Sequence, residues 1–255
     1  MKDPLYTRLL IVALVLLLGV FALFAAAPSL DLAISRAFTD AEGRFWLTLT
    51  PAPGAFNAAL KKVLELLAYG VVLATLVMVI LRRRPQSGLR NWLFLSGVFL
   101  VGPGLIVNLI LKEHSGRARP ANVIEFGGEK LFTPVLQFTD QCASNCSFSS
   151  GETALSSAVA FAVLVLLWPH LGWRGRLVGL LTGAGLIGVT LGLRIGLGRH
   201  FASDALTSVA ISALVALGFY RLCGVAQARQ SFTRAALMAD LRALGARLRR
   251  RFSAT

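Results

Sequence analysis

Leu193 to Asp204 reads LRIGLGRHFASD, with Arg194, then His200 after five intervening residues, then Asp204, all set between two apolar runs. Three charged or titratable groups at the edge of apolar segments call for a physical reason. A neutral imidazole is a nucleophile near pH 7. If the chain is helical from His200, Asp204 lies one turn on along the same face, placed to hold the imidazole N–H, and Arg194 offers a planar fork to an oxyanion. A plainer reading makes Arg194 and Arg199 interfacial anchors, His200 a boundary residue and Asp204 a helix cap. The stretch alone does not separate the two.

The chain around it has 255 residues, 56% of them hydrophobic and 15% charged, with a mean hydropathy of +0.70. That is too apolar for an ordinary soluble domain and marks a polytopic, all-α membrane protein. The formal charge of +14 raises nucleic acid as a partner. The arginines, however, cluster beside apolar runs with no basic-aromatic binding module, so topology accounts for the charge and no nucleic-acid partner is expected.

Crossing a hydrocarbon core of ~30 Å takes roughly 20 apolar residues. Six such windows fit, at 9–27, 62–81, 91–111, 152–170, 175–198 and 202–222. Lys2 and Arg8 precede the first, Arg82, Arg83, Arg84 and Arg90 separate the second from the third, Arg174 and Arg176 the fourth from the fifth, and Arg221 follows the sixth. The positive-inside rule puts all of these in the cytoplasm, so both termini are inside and 28–61, 112–151 and 199–201 face outward. Ala25, Ala26 and Ala27 offer a signal-peptidase-like end to the first span, but its apolar run exceeds the usual h-region of about 7–15 residues and reads as a retained anchor. The chain divides into a six-helix membrane domain, 1–223, and a basic tail, 224–255. In the tail Leu237, Leu241, Leu244 and Leu248 at helical spacing, beside Arg247, Arg249, Arg250 and Arg251, predict an amphipathic helix on an anionic inner leaflet.

Between the second span and the tail, polar residues gather at three places. The segment 29–46 reads as an interfacial stretch, and Lys61, Lys62 and Glu65 as snorkelling side chains from which no chemistry is required. Gly97, Gly102, Pro103 and Gly104 predict close packing or a kink in the third span. That span delivers the chain to KEHSGRARP, where Lys112, His114, Arg117 and Arg119 stand on the outward side, against the topology rule. An anionic ligand is the alternative there to a solvated charge run. The polar, turn-rich loop 121–145 predicts a cover over a site. Cys142 and Cys146, on the oxidising side, predict a local disulfide and leave Cys223 as a free thiol. Next, Ser149, Ser150 and Gly151 open an apolar helix, whose free N–H groups and dipole make an anion cradle; a simple N-cap with Glu152 in the first turn explains the same residues.

The exit of the third span, the entry of the fourth and the turn between fifth and sixth all fall on one outer face, although the topology was assigned from other residues. Together they resemble the type 2 phosphatidic acid phosphatase superfamily, whose pattern is K-x6-R-P, P-S-G-H and S-R-x5-H-x3-D. Lys112 to Pro120 matches the first motif, Ser149-Ser150-Gly151-Glu152 the second in part, and Arg194, His200 and Asp204 the third, within a motif core of 91–222. The resemblance implies a six-transmembrane-helix bundle that works without a metal or other cofactor. His200 would attack phosphorus and become phosphohistidine, with Asp204 orienting it. Lys112, Arg119, Arg194, Ser150 and the N–H of Gly151 would hold the phosphoryl oxygens. Leu193 stands where the pattern has serine, and Glu152 where it has the histidine that serves as general acid, so Glu152 is the expected acid.

The resemblance further implies a phosphorylated membrane lipid as substrate, with the site on the periplasmic face of a bacterial-type inner membrane. The cysteine-flanked CSFSSGE form resembles the branch containing lipid A phosphatases. An anomeric phosphate, which has the better leaving group, suits a site lacking the usual acid, and so the expectation is lipid A 1-phosphate. Phosphatidylglycerophosphate and undecaprenyl pyrophosphate are the alternative substrates. A lipid phosphotransferase and a non-catalytic lipid transporter are the rival classes; a vanadate-dependent haloperoxidase shares the architecture but is typically soluble. The sequence does not decide the oligomeric state.

Overall fold

In hydrocarbon every backbone N–H and C=O must be satisfied within its own segment, so long apolar runs fold as helices. A computed structural model describes residues 4–252, and side chains from Leu5 to Ala243. Its helices are α1 (Pro4–Ala26), α2 (Ser29–Arg36), α3 (Pro51–Ile80), α4 (Leu89–Phe99), α5 (Gly151–Leu167), α6 (Trp173–Gly196), α7 (Ala202–Leu222) and α8 (Arg234–Phe252). Helix α4 continues through a π-helical stretch, Leu100–Leu111, to His114. Among the described residues six helices are long and apolar enough to cross a membrane: Leu5–Ala26, Pro51–Ile80, Leu89–His114, Gly151–His170, Trp173–Gly196 and Ala202–Leu222. The chain is a multi-pass, all-α membrane protein.

The six windows read from the sequence lie on these helices, with one correction. The second span starts at Pro51 rather than near residue 62, because prolines at 51 and 53, which look like turn residues, fit the first turn of a helix where no N–H bond is lost. Lys61 therefore sits well inside α3. The glycines and Pro103 of the third span widen the helix instead of ending it: with no N–H on Pro103, the backbone shifts to the wider π register.

Helix α5 is the centre of the bundle and its most buried span. It packs against α6, α7 and the third span, while α1 runs along α7. Its small residues Ala154, Ala158 and Ala162 let neighbours approach closely, and the core around them holds Phe94, Val98, Leu166, Ala216 and Val225, all buried. Gly97 takes the ring of Phe219 against its backbone. At the end of the bundle away from His200 the Asp240 carboxylate of α8 accepts bonds from the N–H groups of Gln86 and Ser87 at 2.8 and 2.9 Å. Lys2, and the side chains of Leu244, Arg247, Leu248, Arg249, Arg250 and Arg251 on which the amphipathic reading of the tail partly rests, lie outside the described residues.

At the opposite end the loop 115–150 folds over α5 and α7. A small aromatic core of Phe45, Val123, Phe126 and Phe201 fixes it, and Ala121 N–H donates to Gly198 O at 3.0 Å. Gly198 adopts φ +63° with the Phe45 ring against its Cα, a position that disfavours any side chain. The short helix α2 lies beside α7 and contributes buried Asp31 and Ser35.

Candidate active site

The turn between α6 and α7 buries His200 completely. The imidazole Nδ1 lies 2.6 Å from the carbonyl oxygen of Ser147. A carbonyl only accepts, so Nδ1 carries the proton and Nε2 keeps its lone pair. Nε2 is buried and has no hydrogen-bond partner among the described residues. Burial first, then the charges of Arg194, Lys112 and Arg119, hold the imidazole pKa well below its ordinary value, against the opposing pull of the Ser147 carbonyl. His200 is therefore neutral at pH 7, as a nitrogen nucleophile must be.

The cations come from three elements. Lys112 ends the third span, Arg119 follows in the loop and Arg194 stands in the last turn of α6. Arg119 Nη2 donates to the carbonyl oxygen of Asn145 at 2.7 Å; burial and the nearby Arg199 lower the Arg119 pKa. Between these cations lies the start of α5. Ser150 caps it, its hydroxyl accepting from Thr153 N–H at 3.4 Å, and the first N–H groups of the helix have no intrahelical acceptor. A Cβ at Gly151 would collide with Asn108 Oδ1 and come within 3.3 Å of Lys112 Nζ, so only glycine lets the lysine reach the helix end.

Glu152 faces the same cradle. One carboxylate oxygen is ion-paired with Arg194 Nε, and the other lies 3.9 Å from Lys61 Nζ. Lys61, Lys112 and Glu152 share the wall of a groove of about 360 Å³ that also touches Glu65, Asn145 and Leu155. Lys61, from which the sequence reading asked no chemistry, is thus part of the site's surroundings. The reason is the early start of α3, which raises Lys61 to the level of Glu152.

Asp204 is one turn from His200, as the spacing requires, but it does not hold the imidazole N–H. Its nearer oxygen is 3.9 Å from Nδ1, and that N–H is engaged by Ser147. The carboxylate instead accepts from Arg117 Nη1 at 2.5 Å, from Ser147 Oγ at 2.6 Å and from Phe201 N–H at 2.9 Å. The loop wins the imidazole because Ser147 N–H donates to the Arg117 carbonyl at 2.9 Å, which fixes the Ser147 backbone against the ring. Arg117 was legible only as one cation of a cluster. It proves to be buried beneath the site, whereas His114 points away, exposed, with Nδ1 near Ile110 O.

Cys142 and Cys146 are joined in a disulfide and Cys223 is free. The bridged turn carries Asn145, and Cys146 N–H donates to the Lys112 carbonyl at 3.0 Å. The bridge thereby braces the stretch that meets both Lys112 and Arg119.

Comparison with known proteins gives three partial matches. The chain is 38% identical over 112 residues to a protein of Francisella tularensis subsp. novicida (strain U112) named "Lipid A 4'-phosphatase", covering 44% of this chain and 48% of that one. Proteins of the same name from Rhizobium etli (40% over 108 residues, 42% of this chain and 40% of that one) and Rhizobium leguminosarum (36% over 126 residues, 48% and 52%) are similarly related. The match spans about half the length of these curated relatives. No solved structure gives a significant match. The model of the PAP2 superfamily matches residues 91–227, more than half of the chain and the stretch that brings Lys112, Arg119, Arg194 and His200 together, and the chain belongs to that superfamily.

Proposed function

We propose that this protein is a phosphomonoesterase that removes a phosphate from a lipid A-type glycolipid at the outward, periplasmic face of a bacterial inner membrane, through a phosphohistidine on His200. The observation that carries it is the bare, buried Nε2 of a neutral His200 beside three cations. A buried nucleophile with cations close enough to act as oxyanion ligands is what in-line phosphoryl transfer needs.

In this reading Lys112, Arg119, Arg194, Ser150 Oγ and the Gly151 N–H hold the phosphoryl oxygens. Nε2 attacks phosphorus as the bond to the sugar oxygen breaks. The leaving oxygen takes a proton from Glu152, the carboxyl on the cradle wall. Water then attacks phosphorus, its new P–O bond forming as the phosphorus–nitrogen bond breaks, which restores His200, releases phosphate and returns a proton to Glu152. As the phosphoryl oxygens take the Arg194 fork from Glu152, the proton of the incoming phosphate monoanion passes to the freed Glu152 carboxylate, and this is the proton that the leaving oxygen receives.

The position of the phosphate shifts from the sequence-based expectation. The relatives are named for the 4′-phosphate, not the 1-phosphate, and we assign the 4′ ester. Its leaving group is an ordinary sugar hydroxyl, poorer than an anomeric one, so this assignment asks more of the acid at Glu152.

The experiment is phosphate release by the purified protein from lipid A 4′-monophosphate, lipid A 1-monophosphate, phosphatidylglycerophosphate and undecaprenyl pyrophosphate, with His200→Ala alongside. The 4′-monophosphate should be turned over fastest and the variant should be inactive. Equal turnover by the variant overturns the phosphohistidine, and preference for another lipid overturns the substrate.

A further inference from the structure

We infer that Asp31, on α2 and outside the family-matched region, is a positioning residue for the nucleophile, acting through Arg117 and Asp204. The inference rests on the phosphohistidine reading above. Asp31, Arg117 and Asp204 are all at most 1% exposed, and they form one continuous chain of charge. Arg117 Nη2 donates to Asp31 Oδ2 at 2.8 Å while its Nη1 donates to Asp204 at 2.5 Å. Ser203, the residue before Asp204, ties the far end back. Its N–H donates to Asp31 Oδ1 at 2.9 Å, and its hydroxyl lies 2.5 Å from Asp31 Oδ2 and 2.9 Å from Arg117 Nη1. Phe201, next to His200, stacks under the guanidinium at 4.4 Å, with Phe132 at 5.7 Å.

Burying three charges is a costly way to attach a loop, since desolvation offsets most of the attraction. Helix α2 already has an apolar attachment through Leu30 and Ile34, with Phe38 just beyond it. The charge arithmetic points to another role. A guanidinium shared by two carboxylates leaves one net negative charge in the network, and Asp204 is the member that adjoins His200. As Nε2 attacks phosphorus the imidazole becomes cationic, and that residual charge stabilises it. Without Asp31 the network is neutral and Arg117 turns wholly to Asp204. Asp31 therefore keeps the Asp204 charge available to His200 while Ser203 fixes the turn that carries both.

The test uses the full-length protein in lipid nanodiscs with lipid A 4′-monophosphate, comparing wild type, Asp31→Asn, Asp204→Asn, the double variant and His200→Ala. Inhibition by inorganic phosphate reports on the cradle. Asparagine keeps an acceptor for the Ser203 N–H and removes the charge. Asp31→Asn should lower kcat about tenfold or more, the scale of losing a partly screened unit charge near the ring, with KM and phosphate inhibition within about twofold of wild type. In the Asp204→Asn background the same change should cost less than it does in wild type, because part of the Asp31 effect passes through the Asp204 charge. If Asp31→Asn does not fold, Ser203→Ala keeps both carboxylates and cuts the hydroxyl link, and it should lower kcat with KM unchanged. A kcat within about threefold of wild type for the folded Asp31→Asn protein, or for Ser203→Ala in its place, overturns the inference. So does a loss that adds in full to that of Asp204→Asn. Those outcomes with an inactive His200→Ala leave the phosphohistidine standing, whereas an active His200→Ala removes both.

Discussion

Asp204→Asn separates two ways in which a carboxylate can assist a histidine nucleophile. Where the carboxylate accepts the imidazole N–H it sets the tautomer, and its amide variant costs about 10⁴ in kcat. Here Ser147 O accepts a hydrogen bond from that N–H at 2.6 Å, and Asp204 stands 3.9 Å from Nδ1. What remains is charge. At an effective dielectric of 20 a unit pair at this distance interacts by about 4 kcal/mol. Arg117, on the same carboxylate at 2.5 Å, offsets part of it. Halving leaves about 2 kcal/mol, or roughly 30-fold in rate. The substitution also breaks a buried ion pair, at about 3–5 kcal/mol of folding stability, so kcat is measured on protein shown to be folded by its thermal unfolding transition. The expected result is a kcat loss of about 10- to 100-fold with KM little changed. A loss near 10⁴ would show that Asp204 sets the tautomer after all, and a loss under threefold would show that its charge does not reach the ring.

Gly151→Ala should reduce turnover strongly, because its methyl group meets Asn108 Oδ1 and crowds Lys112 Nζ; unchanged kcat and KM would remove Gly151 from the cradle. Reducing the Cys142–Cys146 bridge should raise KM more than it lowers kcat, since it loosens Asn145 and with it Arg119, and equal kinetics with and without reductant would count against this. Alkylation of the unfolded, unreduced protein should mark Cys223 alone. For pH the sign follows from a native His200 pKa held below its ordinary value: as pH falls the unfolded chain takes up the proton first. The contribution of His200 to stability is full above about 6.5 and is lost below it, down to the native pKa. The unfolding temperature should therefore drop between pH 7.5 and pH 5 by less in His200→Asn than in wild type. The acid limb of kcat/KM should lie below 6.5, and a limb at or above that value would mean that the imidazole is not shielded as the structure has it.

Much of the molecule can be read from local pattern. Runs of apolar residues dictate spanning helices whatever their neighbours are, and the windows at 202–222 and 175–198 fall within a few residues of α7 and α6. Arg194, His200 and Asp204 are close in sequence, and a turn followed by a helix brings them to one end without help from the rest of the fold. The pairing of Cys142 with Cys146 is similarly local. The start of α3 escaped because proline at a helix N-terminus and proline in a loop look alike in one dimension. Tertiary structure decided what long-range partners decide. Asp31 and Asp204 are far apart in the chain and are joined by Arg117, which the loop threads between them, and by the bonds from Ser203 to Asp31. His200 donates its Nδ1–H to the Ser147 carbonyl rather than to the carboxylate one turn away because loop packing, not helical spacing, positions that carbonyl. Glu152 meets Arg194 and Lys61 through the packing of α5 with α6 and α3. Buried charges find partners by proximity in space, and sequence separation carries no record of that.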